Sequence, residues 1–379
     1  MAFEHYIQSG GKRLRCGYTT GTCAALAAAG AAEVLLTEQA PAILRLTTPK
    51  GLTVEVEPEI CRMETDCALC AVRKDGGDDI DVTDGLLIAA RVERTDTSGI
   101  AIDGGEGVGR VTKPGLDQPI GAAAINRIPR RMMTESVQAV CEKADYTGGL
   151  RVTISVPGGA EAASKTFNPR LGVEGGISIL GTSGIVEPMS QQAMADTVAL
   201  ELRQTAALGA RRVVLTPGNY GGDFIREQGL DRLGVPVVKC SNFIGGALDE
   251  TAALDFESVL LVGHIGKLVK LAGGIMNTHS RWGDCRKELF CAHAVLAGAD
   301  RKICAALMET VTTDACIAIL DRENLRRPVL TSLLSAIQEH LDHRAAGVFQ
   351  VGAMLFSNEY GPLGQTDRAA EILREWKGE

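Results

Sequence analysis

The rhythm of apolar positions changes part-way along the chain. Between residues 20 and 36 small apolar residues run almost unbroken, interrupted by Gly30 and Glu33. Alanine favours helix and Thr22 can cap one, so this stretch predicts a helix whose small side chains let it pack closely on a sheet. Alternating segments at 43–47 and 52–57, around Pro49-Lys50-Gly51, predict a hairpin. A strand is expected at 86–92 and a helix at 130–143. Segments 152–156 and 164–167 flank Pro157-Gly158-Gly159 and predict a second hairpin. This half reads as α+β.

The second half alternates strand and helix. Strands are expected at 176–180, 212–216, 235–239, 259–262 and 348–356, and helices at 191–208, up to 254, 283–297, 300–309, 329–345 and 366–377. Such alternation predicts a parallel sheet covered by helices. The expected organisation is an α+β domain over 1–172 and a Rossmann-like domain over 173–379. Ligands of parallel sheets sit at the carboxyl ends of the strands. The glycine-rich segments Gly181-Thr182-Ser183-Gly184, Thr216-Pro217-Gly218-Asn219-Tyr220-Gly221 and Gly263-His264-Ile265-Gly266-Lys267 fall at those expected ends.

Composition narrows the function classes. At 379 residues the chain exceeds one typical core, and with 4% aromatic residues and 44 Gly that core must be aliphatic and rich in tight turns. The net charge of -8, with no run of Lys and Arg, argues against non-specific nucleic-acid binding. Eleven Cys, an odd number, suggest reduced thiols. The N-terminus lacks the basic and apolar regions of a signal peptide, and no uninterrupted apolar run approaches the ~20 residues of a membrane span. A soluble, cytoplasmic protein without a membrane partner is the expectation.

Several segments carry candidate chemistry. Lys74-Asp75-Gly76-Gly77-Asp78-Asp79-Ile80-Asp81 concentrates carboxylates that could orient substrate, act as base or hold a cation, or that form a solvated acidic turn. Thr19, Thr20 and Thr22 around Gly21 make the start of the first helix a candidate anion cradle. Gly105-Glu106-Gly107-Val108-Gly109 is not a dinucleotide fingerprint, because Pro114 and Gly115 interrupt any helix after it. With Lys113 it suits close approach to an anionic ligand. Asn126, Arg127, Arg130 and Arg131 suit carboxylate recognition. Gly181, Thr182, Ser183, Gly184, Thr216, Gly218 and Asn219 combine close approach with hydrogen-bonding groups, as a cofactor with an amino-acid end and a nucleoside end requires. His264, Lys267, Lys270, His279, Ser280, Asp284, Arg286 and Glu288 form the densest polar cluster. Cys61, Cys67 and Cys70 lack a fourth metal ligand nearby, which favours free thiols; Cys67-x-x-Cys70 could form a redox pair, but it is not at a helix start in a thioredoxin-like unit.

Taken in order, the pieces at 14–36 (with Thr19-Thr20-Gly21-Thr22-Cys23-Ala24), 74–83, 105–130, 175–190, 215–222 and 263–288 resemble the cobalt-precorrin-5B C(1)-methyltransferase family, CbiD. The resemblance implies transfer of a methyl group from S-adenosylmethionine to ring carbon C1 of cobalt-precorrin-5B, giving cobalt-precorrin-6A in oxygen-independent cobalamin biosynthesis. Cobalt would enter only within the substrate. It further implies a tetrapyrrole-binding α+β domain and a Rossmann-like domain holding S-adenosylmethionine. On this reading Asp75, His264 and His279 are candidate bases. Lys113, Arg130, Lys267 and Arg286 are candidate partners of the tetrapyrrole acids, joined by Thr19, Thr20, Thr22, Asp78, Asp79, Asn126 and Ser280. Two other readings stay open: a Rossmann-like oxidoreductase and a non-catalytic tetrapyrrole-binding protein. A homo-oligomer and transient contacts with neighbouring pathway enzymes also stay open.

Overall fold

A computed structural model describes residues 3–9 and 11–378. It forms two compact units, divided between Gln191 and Gln192. The expected boundary after 172 is corrected, for a physical reason: the short strands Val173–Glu174 and Ile185–Val186 pair with Arg110–Val111 and Gly17–Tyr18, so 173–191 belongs to the first unit.

The first unit is built around helix α1 (Thr20–Thr37). By length and composition α1 could cross a membrane, but most of its residues are buried within the unit. An apolar circumference also marks a helix surrounded by its own protein. The helix packs on a five-stranded sheet of β1 (Ile60–Met63), β2 (Cys67–Arg73), β3 (Leu87–Thr95), β4 (Ile100–Gly104) and β5 (Gly149–Ser155), with α2 (Arg127–Lys143) also against it. The sheet order is β1-β2-β3-β5-β4. Its pairs are antiparallel except β5 with β4. Small residues bring α1 close to its neighbours. A Cβ on Gly30 would lie 2.8 Å from Cys70 Sγ, and one on Gly21 2.7 Å from Pro129 Cγ. The hairpin expected around residue 50 is present, Leu44–Thr47 with Thr53–Val56. The hairpin expected around Pro157 is not: β5 leads into a short helix, Gly159–Ser164. Its alternating pattern is too short to tell a strand from one helical turn.

Helix α3 (Gln191–Ala207) carries the chain from the first unit into the second, which contains the parallel sheet. Its strands are β6 (Arg212–Thr216), β7 (Val237–Lys239), β8 (Ser258–His264), β9 (Gln350–Ser357) and β10 (Gly361–Gln365), in the order β7-β6-β8-β9-β10. The first four run parallel and β10 closes the edge antiparallel. Alternate residues serve opposite faces. Val213, Leu215, Val259 and Leu261 join one core with Leu202, Ile244 and Ile337 from helices α3, α4 (Ile244–Ala253) and α5 (Arg326–Ala345). Val214, Leu260 and Val262 join another with Phe224, Ile372 and Trp376. The helices Arg286–Leu296, Arg301–Met308 and Thr313–Arg322 fill the long connection between β8 and α5. The third of these has no counterpart in the sequence expectation. The chain passes from β6 outward to β7 and returns to β8 on the other side, so the strand order switches between β6 and β8, where parallel sheets commonly take ligands at their carboxyl ends.

Candidate functional site

Two motifs assigned above to different ligands bind each other inside the first unit. Thr19 caps α1, one turn earlier than expected, and the following residues meet segment 178–184. Thr20 Oγ1 accepts from Leu180 N (3.0 Å), Gly21 N donates to Leu180 O (3.0 Å), and Thr22 Oγ1 donates to Gly184 O (2.6 Å). A Cβ on Gly181, where φ is +135°, would lie 2.3 Å from Thr19 Oγ1, and one on Gly184 2.7 Å from Thr48 Cβ. The α1 N-terminus is therefore closed by its own chain. This corrects Thr19, Thr20 and Thr22 as an anion cradle and Gly181, Ser183 and Gly184 as cofactor contacts. Ser183 turns its hydroxyl onto the Ile185 backbone (3.0 Å), and Thr182 alone of the four is exposed. Segment 176–180 makes isolated bridges through Ile177 and Ile179 and is no strand of the parallel sheet. Thr22→Val removes a fully buried hydroxyl with a good acceptor, and should lower unfolding stability by about 1–2 kcal/mol in urea titration. An unchanged midpoint would show that the clasp adds nothing.

The acidic loop is similarly occupied. Asp75 takes both ends of the Arg15 guanidinium (2.6 and 2.8 Å) and the Gly77 N–H (2.8 Å). Burial raises its pKa, but those bonds and the Arg15 charge outweigh it and hold the carboxyl below the usual range. A carboxylate so engaged is a weak base, which weighs against the base role expected of Asp75. Asp78 accepts from Arg15 N (2.7 Å) and Asp79 from Met189 N (3.1 Å). Lys74, buried, donates to Asp81 at 2.7 Å. Lys113 donates to Arg170 O (3.1 Å), and Arg130 to Ile125 O (2.9 Å) and Ile102 O (2.8 Å). Asn126 precedes α2 without capping it through its side chain. Of the first unit's proposed carboxylate partners, Arg130 is thus largely engaged by backbone carbonyls.

Glycines 105–109 give the same lesson. A Cβ on Gly107, at φ +71°, would lie 1.9 Å from Val156 O. The close approach is to the chain itself. Cys61 and Cys70 face each other across β1 and β2, and their mutual thiol hydrogen bond pushes Cys61 down and Cys70 up in pKa. Cys67 lies three residues from Cys70 along the same strand, so the two point to opposite faces, and Cys67 Sγ donates to Glu64 (3.4 Å). That corrects Cys67-x-x-Cys70 as a redox pair.

In the second unit the loops after three parallel strands do converge. After β6, Gly218 and Asn219 are accessible; Lys239, ending β7, donates to Asn219 Oδ1 (3.2 Å). After β8, Lys267 lies over Gly218, where a Cβ would be 3.7 Å from its Nζ. Thr216 is buried, 1% exposed, with its hydroxyl under Gly221 and no hydrogen-bond partner among the described residues. It shapes the loop from beneath, and its side chain is not at the surface of the basin. The loop after β7 holds segment 275–284: Thr278 N donates to Asn242 O (3.0 Å) and Gly245 N to Met276 O (3.0 Å). Lys270, 3% exposed, ties the same segment by donating to Thr278 O (3.2 Å) and Gly283 O (3.0 Å).

Both histidines cap short helices here. His264 Nδ1 accepts from Gly266 N (3.0 Å) and His279 Nδ1 from Arg281 N (3.2 Å). A backbone N–H can only donate, so each Nδ1 is the unprotonated nitrogen and each neutral ring carries its hydrogen on Nε2. Burial lowers the His264 pKa against the opposing charge of Asp314, keeping the ring neutral. These rings present an Nε2–H donor, which weighs against their reading as bases. Asp314, unnoticed in the sequence, is held by Ser357 Oγ (2.6 Å) at the end of β9. Arg286 is paired with Asp284, one of its bonds being 2.9 Å, while Ser280 is exposed. Lys239 was missed as well; its place after a short strand was the available signal.

Residues 7–188 match the family described as CbiD, and 277–367 the family described as CbiD, C-terminal domain. A "Cobalt-precorrin-5B C(1)-methyltransferase" of Ruminiclostridium cellulolyticum is 44% identical over 98% of this chain and 99% of its own length. The chain belongs to the CbiD family. Another member, bearing the same name in Alkaliphilus metalliredigens, is 42% identical over 99% of this chain and 98% of its own. A crystal structure described as cobalamin biosynthesis protein (cbiD) from Archaeoglobus fulgidus is 30% identical, covers 75% of this chain and 87% of that one, and has a TM-score of 0.40. The CbiD match spans the clasp and the acidic loop, and its C-terminal domain match takes in His279 and Arg286.

Proposed function

We propose that the chain methylates ring carbon C1 of cobalt-precorrin-5B with S-adenosylmethionine as donor, within oxygen-independent cobalamin biosynthesis. Family membership with full-length relatives of that name carries the reading. The second unit is read as Rossmann-like, since its parallel strands are doubly wound and its loops converge at the switch in strand order. The convergence of Gly218, Asn219, Lys239 and Lys267, with His264 at the end of the adjoining strand, supports a reactant site here. The loops of the first unit are shut by their own partners.

A bound methyl sulfonium supplies an activated methyl group, so the protein's work is orientation and exclusion of water. The ring carbon contributes the electron pair of the new bond, and the S–CH3 pair stays on sulfur. His264 and His279 then contribute Nε2–H donors that steady carboxylates or carbonyls of the reactants. Cobalt arrives with the substrate.

Anaerobic incubation with cobalt-precorrin-5B and methyl-labelled S-adenosylmethionine should place label in the corrinoid. Bound substrate without label would sink the reading in favour of a tetrapyrrole carrier. Corrinoid reduction by a nicotinamide cofactor would favour an oxidoreductase. His264→Gln keeps a donor and should retain turnover within about tenfold, whereas His264→Ala should lose about 100-fold. Equal losses would restore the base role.

A further inference from the structure

Lys267 is a cation in an unusual position. It sits on the single helical turn Ile265–Leu268 that follows β8 and is half-buried. No carboxylate among the described residues pairs with it. Burial lowers its pKa; the buried Cys240 thiol works against that shift and the neighbouring Lys270 ammonium works with it. Asp284 and Asp314 have other partners: Asp284 is engaged by Arg286 and Lys270, and Asp314 by Ser357. A second ammonium, Lys239, brackets the same loop from the far side through Asn219.

The floor is shaped to admit a ligand between them. Gly218, at φ +155°, has, apart from its chain neighbours, only Lys267 among the described residues within 4 Å of the position a Cβ would take. A side chain there would stand in the space beside the ammonium. Half-buried charge without a counter-ion is costly, and natural proteins tolerate it where a ligand supplies the opposite charge.

We propose that Lys267, with the Gly218–Asn219 backbone beside it, is the subsite for a carboxylate of a reactant. The inference rests on the methyltransferase reading above and deepens it by naming the group that this basin takes. Two reactants carry such a group: the amino-acid end of the methyl donor, and the acetate and propionate arms of the tetrapyrrole. The ammonium–carboxylate bond is the chemistry they share.

The test uses the full chain and reads binding by calorimetry, independent of turnover. One pair of ligands is S-adenosylhomocysteine and 5′-methylthioadenosine, which lacks the carboxylate. The other is cobyrinic acid and its fully esterified form. Lys267→Met should weaken one acid-bearing ligand at least tenfold while leaving its carboxylate-free counterpart within twofold of wild type. The affected pair identifies the source of the carboxylate. Lys267→Arg should bind that ligand within a few-fold of wild type, because the charge remains. The proposal is overturned if neither acid-bearing ligand weakens in Lys267→Met, if the carboxylate-free forms weaken equally, or if wild type binds none of the four. Should Lys267→Met fail to fold, wild type must still prefer an acid-bearing ligand over its counterpart by tenfold, and Lys267→Arg must preserve that preference. Methyl transfer by wild type is measured separately. Loss of the subsite with transfer intact removes this inference alone, while carboxylate selectivity without transfer removes the activity and leaves the subsite.

Discussion

Gly107→Ala is expected to unfold the first unit or to destabilise it by about 2–5 kcal/mol, from left-handed backbone strain of about 1–2 and overpacking of about 1–3. At φ +71° a side chain is strained whatever the space, and here the added Cβ lies 1.9 Å from the Val156 carbonyl oxygen. Retreat is blocked on the other side. The Gly107 carbonyl accepts from Ile177 N (2.9 Å) and lies 2.3 and 2.2 Å from where Cβ atoms on Gly159 and Gly176 would be. Three chain segments thus cross at glycine. Gly99→Ala is the control: its φ is +91°, but nothing lies within 4 Å of the added atom. It should cost about 1 kcal/mol from the backbone alone. Urea unfolding of both variants separates crowding from conformation, and equal losses would contradict the crossing as the cause.

Asp81→Asn is expected to cost about 3 kcal/mol, because it strands a buried ammonium. The Lys74 side chain is 1% exposed and donates to Asp81 Oδ2 at 2.7 Å. The acid also accepts from Thr83 N (2.8 Å) and Thr83 Oγ1 (2.6 Å), bonds an asparagine can keep in part. Combining Asp81→Asn with Lys74→Met should therefore recover much of the loss, since it removes both charges. A single variant within 1 kcal/mol of wild type in denaturant titration would show that the pair is not needed. The same carboxyls give a pH dependence. Burial raises Asp75 and Asp81, but Arg15, Lys74 and the hydrogen bonds outweigh it, so both pKa values are lowered in the folded chain. Their contribution is complete above the unfolded value of about 3.9 and disappears as pH falls through the lower folded values. Thermal stability should be flat in this respect above pH 5 and fall in acid. Asp75→Asn, which removes one such carboxyl, should shallow that fall.

Periodicity alone made the second unit's sheet legible. Strand 212–216 lies where the apolar run puts it, and strand 350–357 and helix 367–377 fall within two residues of their expected bounds. Long, regular segments carry enough pattern to outweigh local ambiguity. Strands Ile60–Met63 and Ile100–Gly104 were passed over, and so was Gly361–Gln365, which glycine and proline disguise.

The sequence by itself determined the family, through motif order, and the alternation of strand and helix that makes a parallel sheet. It also marked which segments must allow close approach, because glycine is required wherever a Cβ would collide. What approaches them was decided by tertiary structure. Thr19–Thr22 and 181–184 look like ligand loops in one dimension, yet they are each other's partners across about 160 residues of chain. Asp75 looks like a free base until Arg15 is seen on it. For His264 and His279 a backbone N–H fixes which nitrogen carries the hydrogen, which weighs against the base role. Lys267 changes in the other direction: only the fold shows a half-buried ammonium over Gly218 that no carboxylate among the described residues pairs with. Composition counts charges, whereas packing settles which of them already have a partner, and that difference separates the structural motifs from the candidate site.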